Sequence, residues 1–466
     1  MELSEIMKKN NETEPFFNQP DRNETVFSTT QNLIKDFSAK KYAYLQFADK
    51  AETEKIQTEL LLHHLNYTIP RSCFYRKLYQ DRKIDLSAIK DLKDLSQLPF
   101  TNKEDIADTA GFLCVDPGQI VDICLTSATS GSTPTIIPLT GSDLSRLAYN
   151  EELALAMAGI NGTDTLIICA ALDRCFMAGI AYFLGGVKLK AQMVRSGAGS
   201  ASQHWELIKL TKATAIVGVP SLIYKIGQHA LLNHEDPAAS TIKKLIANGE
   251  PTKDENLLLL PMTKELERMW NANIYSTYAS SEIATTFCEC EARSGGHLRP
   301  ELNIVEILDD NGNPLSDGEK GEVVVTPLGV TGMPLIRFKT GDISYLISEN
   351  CFCGRTTKRL APILGRKKQM LKYKGTTVFP NAILSVLEGD PRFYNGYIEV
   401  MQNDDKTDRI ILYAALFPGN DKADWIRERL QATIRVVPEI RIIDQASADK
   451  KVYNKKLKRT IFFDLR

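Results

Sequence analysis

Between Thr53 and Gln80, Leu, Ile, Phe and Tyr recur at helical spacing, which predicts amphipathic helix broken at Pro70. Polar, charged helices follow. In the stretch Leu98-Pro99-Phe100-Thr101-Asn102-Lys103, Thr101 or Asn102 is expected to cap the next helix. From about Asp164 the pattern changes to short apolar runs between amphipathic stretches: Leu166–Cys169, Ala215–Val219 and Lys244–Ala247. That alternation predicts an α/β layer with buried strands. The section Asn303–Pro327 reads as all-β, with Ile304–Leu308, a turn at Asp310-Asn311-Gly312-Asn313, and Glu322–Val325. Past Gly365-Arg366 the pattern resets. Strands at Tyr397–Gln402, Arg409–Phe417 and Glu439–Asp444 and a helix at Asp421–Thr433 predict a small α+β domain.

A chain of 466 residues exceeds one compact core and implies two or three domains. Its formal net charge of −1 gives no electrostatic case for nucleic acid or a membrane surface. No apolar run is long enough to span a bilayer, and Met1–Glu14 is polar and acidic where a signal peptide is basic, then apolar. A soluble cytoplasmic protein is expected, with its nine cysteines reduced.

The chemistry concentrates in a few segments. Tyr278-Ala279-Ser280-Ser281-Glu282 and Phe338-Lys339-Thr340-Gly341-Asp342 supply an aromatic face for adenine, a hydroxyl for phosphate and a carboxylate for magnesium. A second carboxylate can take both ribose hydroxyls. Upstream, Thr126 to Thr135 holds seven hydroxyl residues in ten around Gly131, an anion cradle without the Gly-Lys-[Ser/Thr] ending of a Walker loop. Cys288-x-Cys290 with His297 precedes the β-rich section, and Cys351-x-Cys353 follows it. A pair at i, i+2 in a strand points to one face, so the two pairs can converge on a tetrahedral metal. The ligand set expected is Cys290, His297, Cys351 and Cys353, a closed structural zinc site, with Cys288 in reserve. Cys73, Cys114, Cys124, Cys169 and Cys175 lie in apolar surroundings and are expected in the core.

With these motifs in order, the chain resembles the adenylate-forming superfamily and, within it, the phenylacetate–coenzyme A ligase family. The matches are the Leu98–Lys103 entry segment, the hydroxyl-rich loop at Ser127–Pro134 and Gly249-Glu250-Pro251. Further along come Tyr278–Glu282, Thr340–Asp342, Cys351–Thr356, the hinge at Gly365-Arg366 and Lys374–Pro380. They cover roughly residues 55 to 462.

The resemblance implies a large N-terminal α/β plus β-barrel-like adenylation part, residues 1–366, and a small mobile α+β C-terminal domain, 367–466. Tyr278 is expected on adenine beside Gly249, Glu250 and Pro251, with Ala279 and Ser280 in the same wall. Ser281 is expected at the α-phosphate, Glu282 on Mg²⁺, and Asp342 on the ribose with Arg366 as a second nucleotide contact. Thr129, Ser130, Gly131, Ser132 and Thr133 form the phosphate loop, Lys368 is the hinge residue, and Gly375 belongs to the segment facing the thiol. Lys456 matches the catalytic lysine that bridges carboxylate and α-phosphate, with Lys455 adjacent. Some members of the family carry a Cys…Gly-x-His segment plus Cys-x-Cys that fits the zinc set.

Two departures stand out: Thr133 occupies the position of the family's loop lysine in a contracted loop, and Tyr278-Ala279 replaces Tyr-Gly. For the acyl pocket, Phe176, Tyr182 and Phe183 are candidates that equally fit a core.

The expected activity is ATP-dependent ligation of an aryl or arylacetic acid, such as phenylacetate, to coenzyme A through an acyl-adenylate. Two alternatives remain at this level. One is transfer of the acyl group to a carrier protein or other acceptor; the other is a nucleotide-binding protein that has lost turnover. A homodimer is left open.

Overall fold

The computed structural model describes residues 35–126, 134–373, 376–403, 408–420, 423–434, 436–453 and 459–466. The chain divides into Met1–Lys35 and Asp36–Arg466, and every element below belongs to the second unit. After a 3₁₀ helix at Ser38–Gln46 come helix α1 (Lys50–Arg71) and helix α2 (Cys73–Asp81). Pro70 sits inside the last turn of α1, and the break falls at Ser72, whose hydroxyl accepts from the Tyr75 N–H and so caps α2. Thr101 is not a cap. Nor is Asn102: the next helical element is a 3₁₀ turn, Asp105–Ala107, entered at Glu104 without a side-chain cap, and the Thr101 hydroxyl donates to the Ile336 carbonyl at 2.7 Å.

A hairpin of β1 (Ile120–Leu125) and β2 (Ile136–Thr140) frames the hydroxyl-rich loop, whose described ends, Thr126 and Thr135, bond each other. Helix α3 (Gly141–Met157) starts under a capping box between Thr140 and Asp143.

Next comes the main sheet: β3 (Thr165–Ile168), β4 (Gln192–Arg195), β5 (Ala215–Gly218), β6 (Lys244–Ala247), β7 (Asn273–Ser280) and β8 (Thr285–Cys288). Their order is β4-β3-β5-β6-β7-β8, parallel throughout except the antiparallel β7–β8 pair. Helices α4 (Met177–Lys188), α5 (Ala201–Thr211), α6 (Pro220–Leu232) and α7 (Pro261–Trp270) cross between strands. Strand periodicity sorts the residues into two layers. Ile167, Ile216, Leu245 and Ile274 face Trp205, Ile226, Leu266 and Trp270 of α5–α7. Leu166, Ile168, Val217 and Ile246 face Ala154, Leu155 and Tyr182 of α3 and α4. The apolar runs of the sequence are therefore strands buried on both faces.

The β-rich part contains β9 (Gly296–His297), β10 (Asn303–Leu308), β11 (Gly321–Pro327), β12 (Phe338–Ser344), β13 (Leu346–Ile347), β14 (Arg359–Leu360) and β15 (Gly365–Arg366). It forms an antiparallel sheet β10-β11-β12-β15 and a smaller β13-β14-β9 sheet. One core joins this part to α1 and α2: Leu61, Leu65 and Tyr75 with Val323, Val325 and Phe338.

The last part has its own core, including Leu371, Leu384, Ile398, Leu412 and Leu430. Its strands are β16 (Leu371–Tyr373), β17 (Thr376–Val378), β18 (Phe393–Gln402), β19 (Asp408–Leu416), β20 (Glu439–Ile443) and β21 (Phe462–Asp464), with helices α8 (Asp424–Ile434) and α9 (Gln445–Tyr453). The four-stranded sheet runs β20-β19-β18-β21. No helix among the described residues is long and apolar enough to cross a membrane.

One buried acid lies between the layers. Glu151 on α3 accepts from Thr286 of β8 and from Asn150, while its second oxygen has no partner. Burial pushes its carboxyl up to about 7, against an ordinary value of 4.5. The folded chain therefore holds this proton at pH values where the unfolded chain has lost it. The contribution is full below pH 4.5 and is lost as pH rises through about 7. Urea midpoints for Glu151→Gln are expected to show a flatter fall with pH across this window, and higher stability than the parent above it.

Candidate active site

The expected nucleotide residues meet where the carboxyl end of β7 faces β12. Tyr278 pairs across the β7–β8 ladder with Phe287, their rings stacked at 6.0 Å between centroids and 14° between planes. Its hydroxyl donates to Asp342 Oδ2 at 2.8 Å. Asp342 in turn stands opposite Arg366 across β12 and β15, with 3.6 Å from Oδ1 to Nε. Burial pushes the Asp342 carboxyl above its ordinary range, opposed by Arg366, the Tyr278 hydroxyl and Lys103. Burial, followed by the Asp342 charge, holds the Tyr278 phenol protonated.

Glu282 lies in the turn after β7, and its Oε1 is 3.7 Å from Lys103 Nζ. The Asp342 carboxyl feels both Glu282 and Lys103, so these groups share one site. Lys103 is the residue that sequence reasoning left without a role, although it ends the Leu98–Lys103 segment. Thr101 places it. That residue forms a parallel bridge to Phe338, exchanging backbone bonds with Arg337 and Lys339 at 3.1 and 2.9 Å. Arg337 reinforces the dock: its guanidinium takes both Glu306 oxygens at 2.8 and 2.9 Å and donates to the Leu98 carbonyl at 2.7 Å.

Gly249 uses the left-handed backbone region, φ +71°, just past β6. Glu250 does not present a free carboxylate here. Its two oxygens accept from Ser221 N at 2.8 Å and Ser221 Oγ at 2.7 Å, satisfying the N-terminus of α6. Pro251 and Ala279 are exposed, Ser281 is half-buried, and the Ser280 hydroxyl is buried without a partner. Lys368 pairs with Glu104 at 2.8 Å on the exposed surface, one residue beyond Lys103. Thr129, Ser130, Gly131, Ser132, Thr133, Gly375 and Lys456 lie outside the described residues.

Of the acyl-pocket candidates, Tyr182 is buried with its hydroxyl accepting from Asn248 at 3.1 Å, beside Gly249. Phe176 is exposed, and Phe183 lies under the Arg195 guanidinium at 5.6 Å.

The cysteine and histidine ligand atoms of Cys290, His297, Cys351 and Cys353 all lie within 4.8 Å of one another. Cys290 Sγ is 3.5 Å from Cys351 Sγ, and Cys353 Sγ is 3.4 Å from His297 Nε2. A tetrahedron with zinc–sulfur bonds of about 2.3 Å has edges of roughly 3.8 Å, so the set fits zinc closely. The His297 Nδ1 lies 2.9 Å from Thr357 Oγ1, leaving Nε2 toward the thiols. The elements differ from the expected strand pairs: Cys290 follows the end of β8, and Cys351 and Cys353 lie in a turn. Cys288 belongs instead to the core under α3 and α4. Cys114, Cys124 and Cys169 are buried as expected, but Cys73, at the exposed start of α2, and Cys175, in a turn, both face solvent.

The family model described as AMP-binding enzyme matches residues 65–333. The chain is 28% identical over 371 residues to the phenylacetate-coenzyme A ligase of Thermus thermophilus, covering 78% of this chain and 81% of that one. It is 26% identical over 352 residues to the phenylacetate-coenzyme A ligase of Escherichia coli, with 73% and 77% covered. Among solved structures, 2-hydroxyisobutyryl-CoA ligase in its postadenylation state superposes with a TM-score of 0.81 at 21% identity, covering 91% of this chain and 92% of the other. The same protein in its thioesterification state gives 0.67 at 21% identity, with 90% and 91% covered.

If the thiol–imidazole cluster holds a structural metal, the purified chain carries about one zinc per molecule by elemental analysis. Cys290→Ser and the rim variant Cys353→Ser are then expected to lose it and to melt several degrees lower. A metal-free chain whose melting is indifferent to chelators would remove zinc from this site.

Proposed function

Because this chain belongs to the AMP-binding enzyme family, we propose that it is an ATP-dependent carboxylic acid–coenzyme A ligase acting through an acyl-adenylate on an aryl or arylacetic acid. The observation that carries the reading is the convergence of Tyr278, Glu282, Asp342, Arg366 and Lys103 from separate segments onto one site. The phenylacetate-coenzyme A ligases among its relatives support the acid class and the thiol acceptor.

In this reading the exposed side of Tyr278 receives adenine while Phe287 backs its other face. Asp342, held by Tyr278 and Arg366, accepts from the ribose hydroxyls. Hard carboxylate oxygens suit Mg²⁺, and Glu282 is the residue that would hold it, where it supplies charge neutralisation for the phosphates. Lys103 adds a cation beside Glu282 in a chain whose hydroxyl-rich loop has Thr133 where the family pattern it resembles has lysine. Lys456 is assigned the bridging role between substrate carboxylate and α-phosphate on its sequence position. Attack by the carboxylate on the α-phosphorus breaks the bond to pyrophosphate, and the thiol then displaces AMP.

The C-terminal residues 367–466 act as the mobile lid that serves the two half-reactions in turn. The higher likeness to the postadenylation state than to the thioesterification state of 2-hydroxyisobutyryl-CoA ligase supports an arrangement that precedes thioester formation for this chain.

Pyrophosphate release should depend on one member of a panel of aryl, arylacetic and fatty acids, and a thioester should form only with coenzyme A. Release without thioester redirects the acyl group to another acceptor, such as a carrier protein; ATP binding with no release from any acid leaves the nucleotide-binding alternative. Lys103→Met is expected to weaken MgATP binding about 10-fold or more, the loss of one charge-assisted contact, with AMP binding unchanged in calorimetry. Equal weakening of both nucleotides would make Lys103 a structural partner of Glu282 only.

A further inference from the structure

The C-terminal part rests on α6 and the start of α7 through two contacts, with an ion pair of its own beside them. At α7, Gly389 adopts φ +87°, and a Cβ there would lie 2.9 Å from Met262 N and 3.0 Å from the Pro261 carbonyl carbon. No side chain fits between the two backbones. Beside it, Glu388 is paired with Arg459, which also donates to Asn395 Oδ1 at 3.1 Å. This ion pair sits in the field of Glu250, the acid that satisfies the start of α6. One helical turn along α6 from Ser221, Lys225 Nζ donates to Tyr453 OH at 3.1 Å and stands 4.6 Å from the centre of the same ring.

Of these, only the Lys225–Tyr453 contact is a direct side-chain bond between α6 and the C-terminal part. It is solvent-accessible, so its strength is that of a single hydrogen bond with a cation–π component, not of a buried ion pair. A bond of that size suits a contact that must form and release in every turnover. A buried pair would hold the lid in one arrangement.

We propose that Lys225 and Tyr453 are positioning residues that hold the C-terminal part in the arrangement of the first half-reaction and release it for the second. This rests on the ligase reading above. Neither residue touches the nucleotide site: Lys225 acts through Tyr453 at the end of α9, and the Gly389 contact supplies the close fit beside it.

The test uses the full chain with Lys225→Met and, separately, Tyr453→Phe, which keeps the ring but removes the hydroxyl. Acid-dependent ATP–pyrophosphate exchange reports the first half-reaction. Thioester formation from prepared acyl-adenylate and coenzyme A reports the second. Lys225→Met is expected to slow exchange about 3- to 10-fold while leaving the second half-reaction unchanged or faster, and Tyr453→Phe to have a smaller effect of the same sign. Equal losses in both half-reactions, or none in either, overturn the proposal.

A second readout needs no acid. In hydrogen-exchange mass spectrometry of the nucleotide-free chain, Lys225→Met should raise exchange in residues 445–453, and unchanged exchange there overturns the latch. Parent enzyme that exchanges no pyrophosphate with any acid counts against the ligase reading instead, and the hydrogen-exchange result still decides the latch.

Discussion

One hydrogen bond, from the Tyr278 hydroxyl to Asp342, crosses from the parallel sheet to the β-rich sheet and sets the distance between them at the site. Each partner has its own reason to be fixed. Tyr278 is stacked on its cross-strand neighbour Phe287, and Asp342 is opposite Arg366 in the β12–β15 ladder. A carboxylate this buried would be costly alone; the phenol and guanidinium together give it partners while leaving capacity for further hydrogen bonds. The aromatic face and the acidic group thus come as one unit, although 64 residues separate them.

A second tie brings in the amino-terminal helices. Tyr75 on α2 reaches Thr101 at 2.7 Å and also accepts from the Ile336 N–H at 2.8 Å. Arg337, itself in the left-handed backbone region, closes the same junction from the other side. The amino-terminal helices therefore do more than cover a core: they hold the strand-like residue from which Lys103 projects.

Much of this was legible in the sequence. Buried parallel strands announce themselves as short apolar runs, and Lys244–Ala247 was matched to the residue. The meeting of the two five-residue motifs was readable because each compresses its candidate chemistry into a short run, and Tyr278 and Asp342 do come together. That Cys290, His297, Cys351 and Cys353 come together was readable from residue type and spacing, but for an imperfect reason, since the cysteines lie outside strands and not on strand faces. What was not legible depends on partners distant in the chain. Thr101 has the composition of a helix cap, and only Phe338 and Tyr75 make it a strand residue. Glu250 looks like a ligand residue, and only Ser221 shows that its carboxylate is engaged in satisfying a helix end. The pose of the C-terminal part leaves no local signature, since Lys225 and Tyr453 are 228 residues apart.

The docking of Thr101 also sets a rule of length. Two residues of extended chain reach about 7 Å, so Lys103 hangs from its anchor on the shortest of tethers. Asn102 between them is exposed and can be exchanged for many residues without disturbing a packed neighbour. Adding or deleting a residue there is a different matter, because it resets where the ammonium falls relative to Glu282. Drift in this segment is thus free in spelling and constrained in count, the reverse of an ordinary surface loop, where length is the easier thing to change.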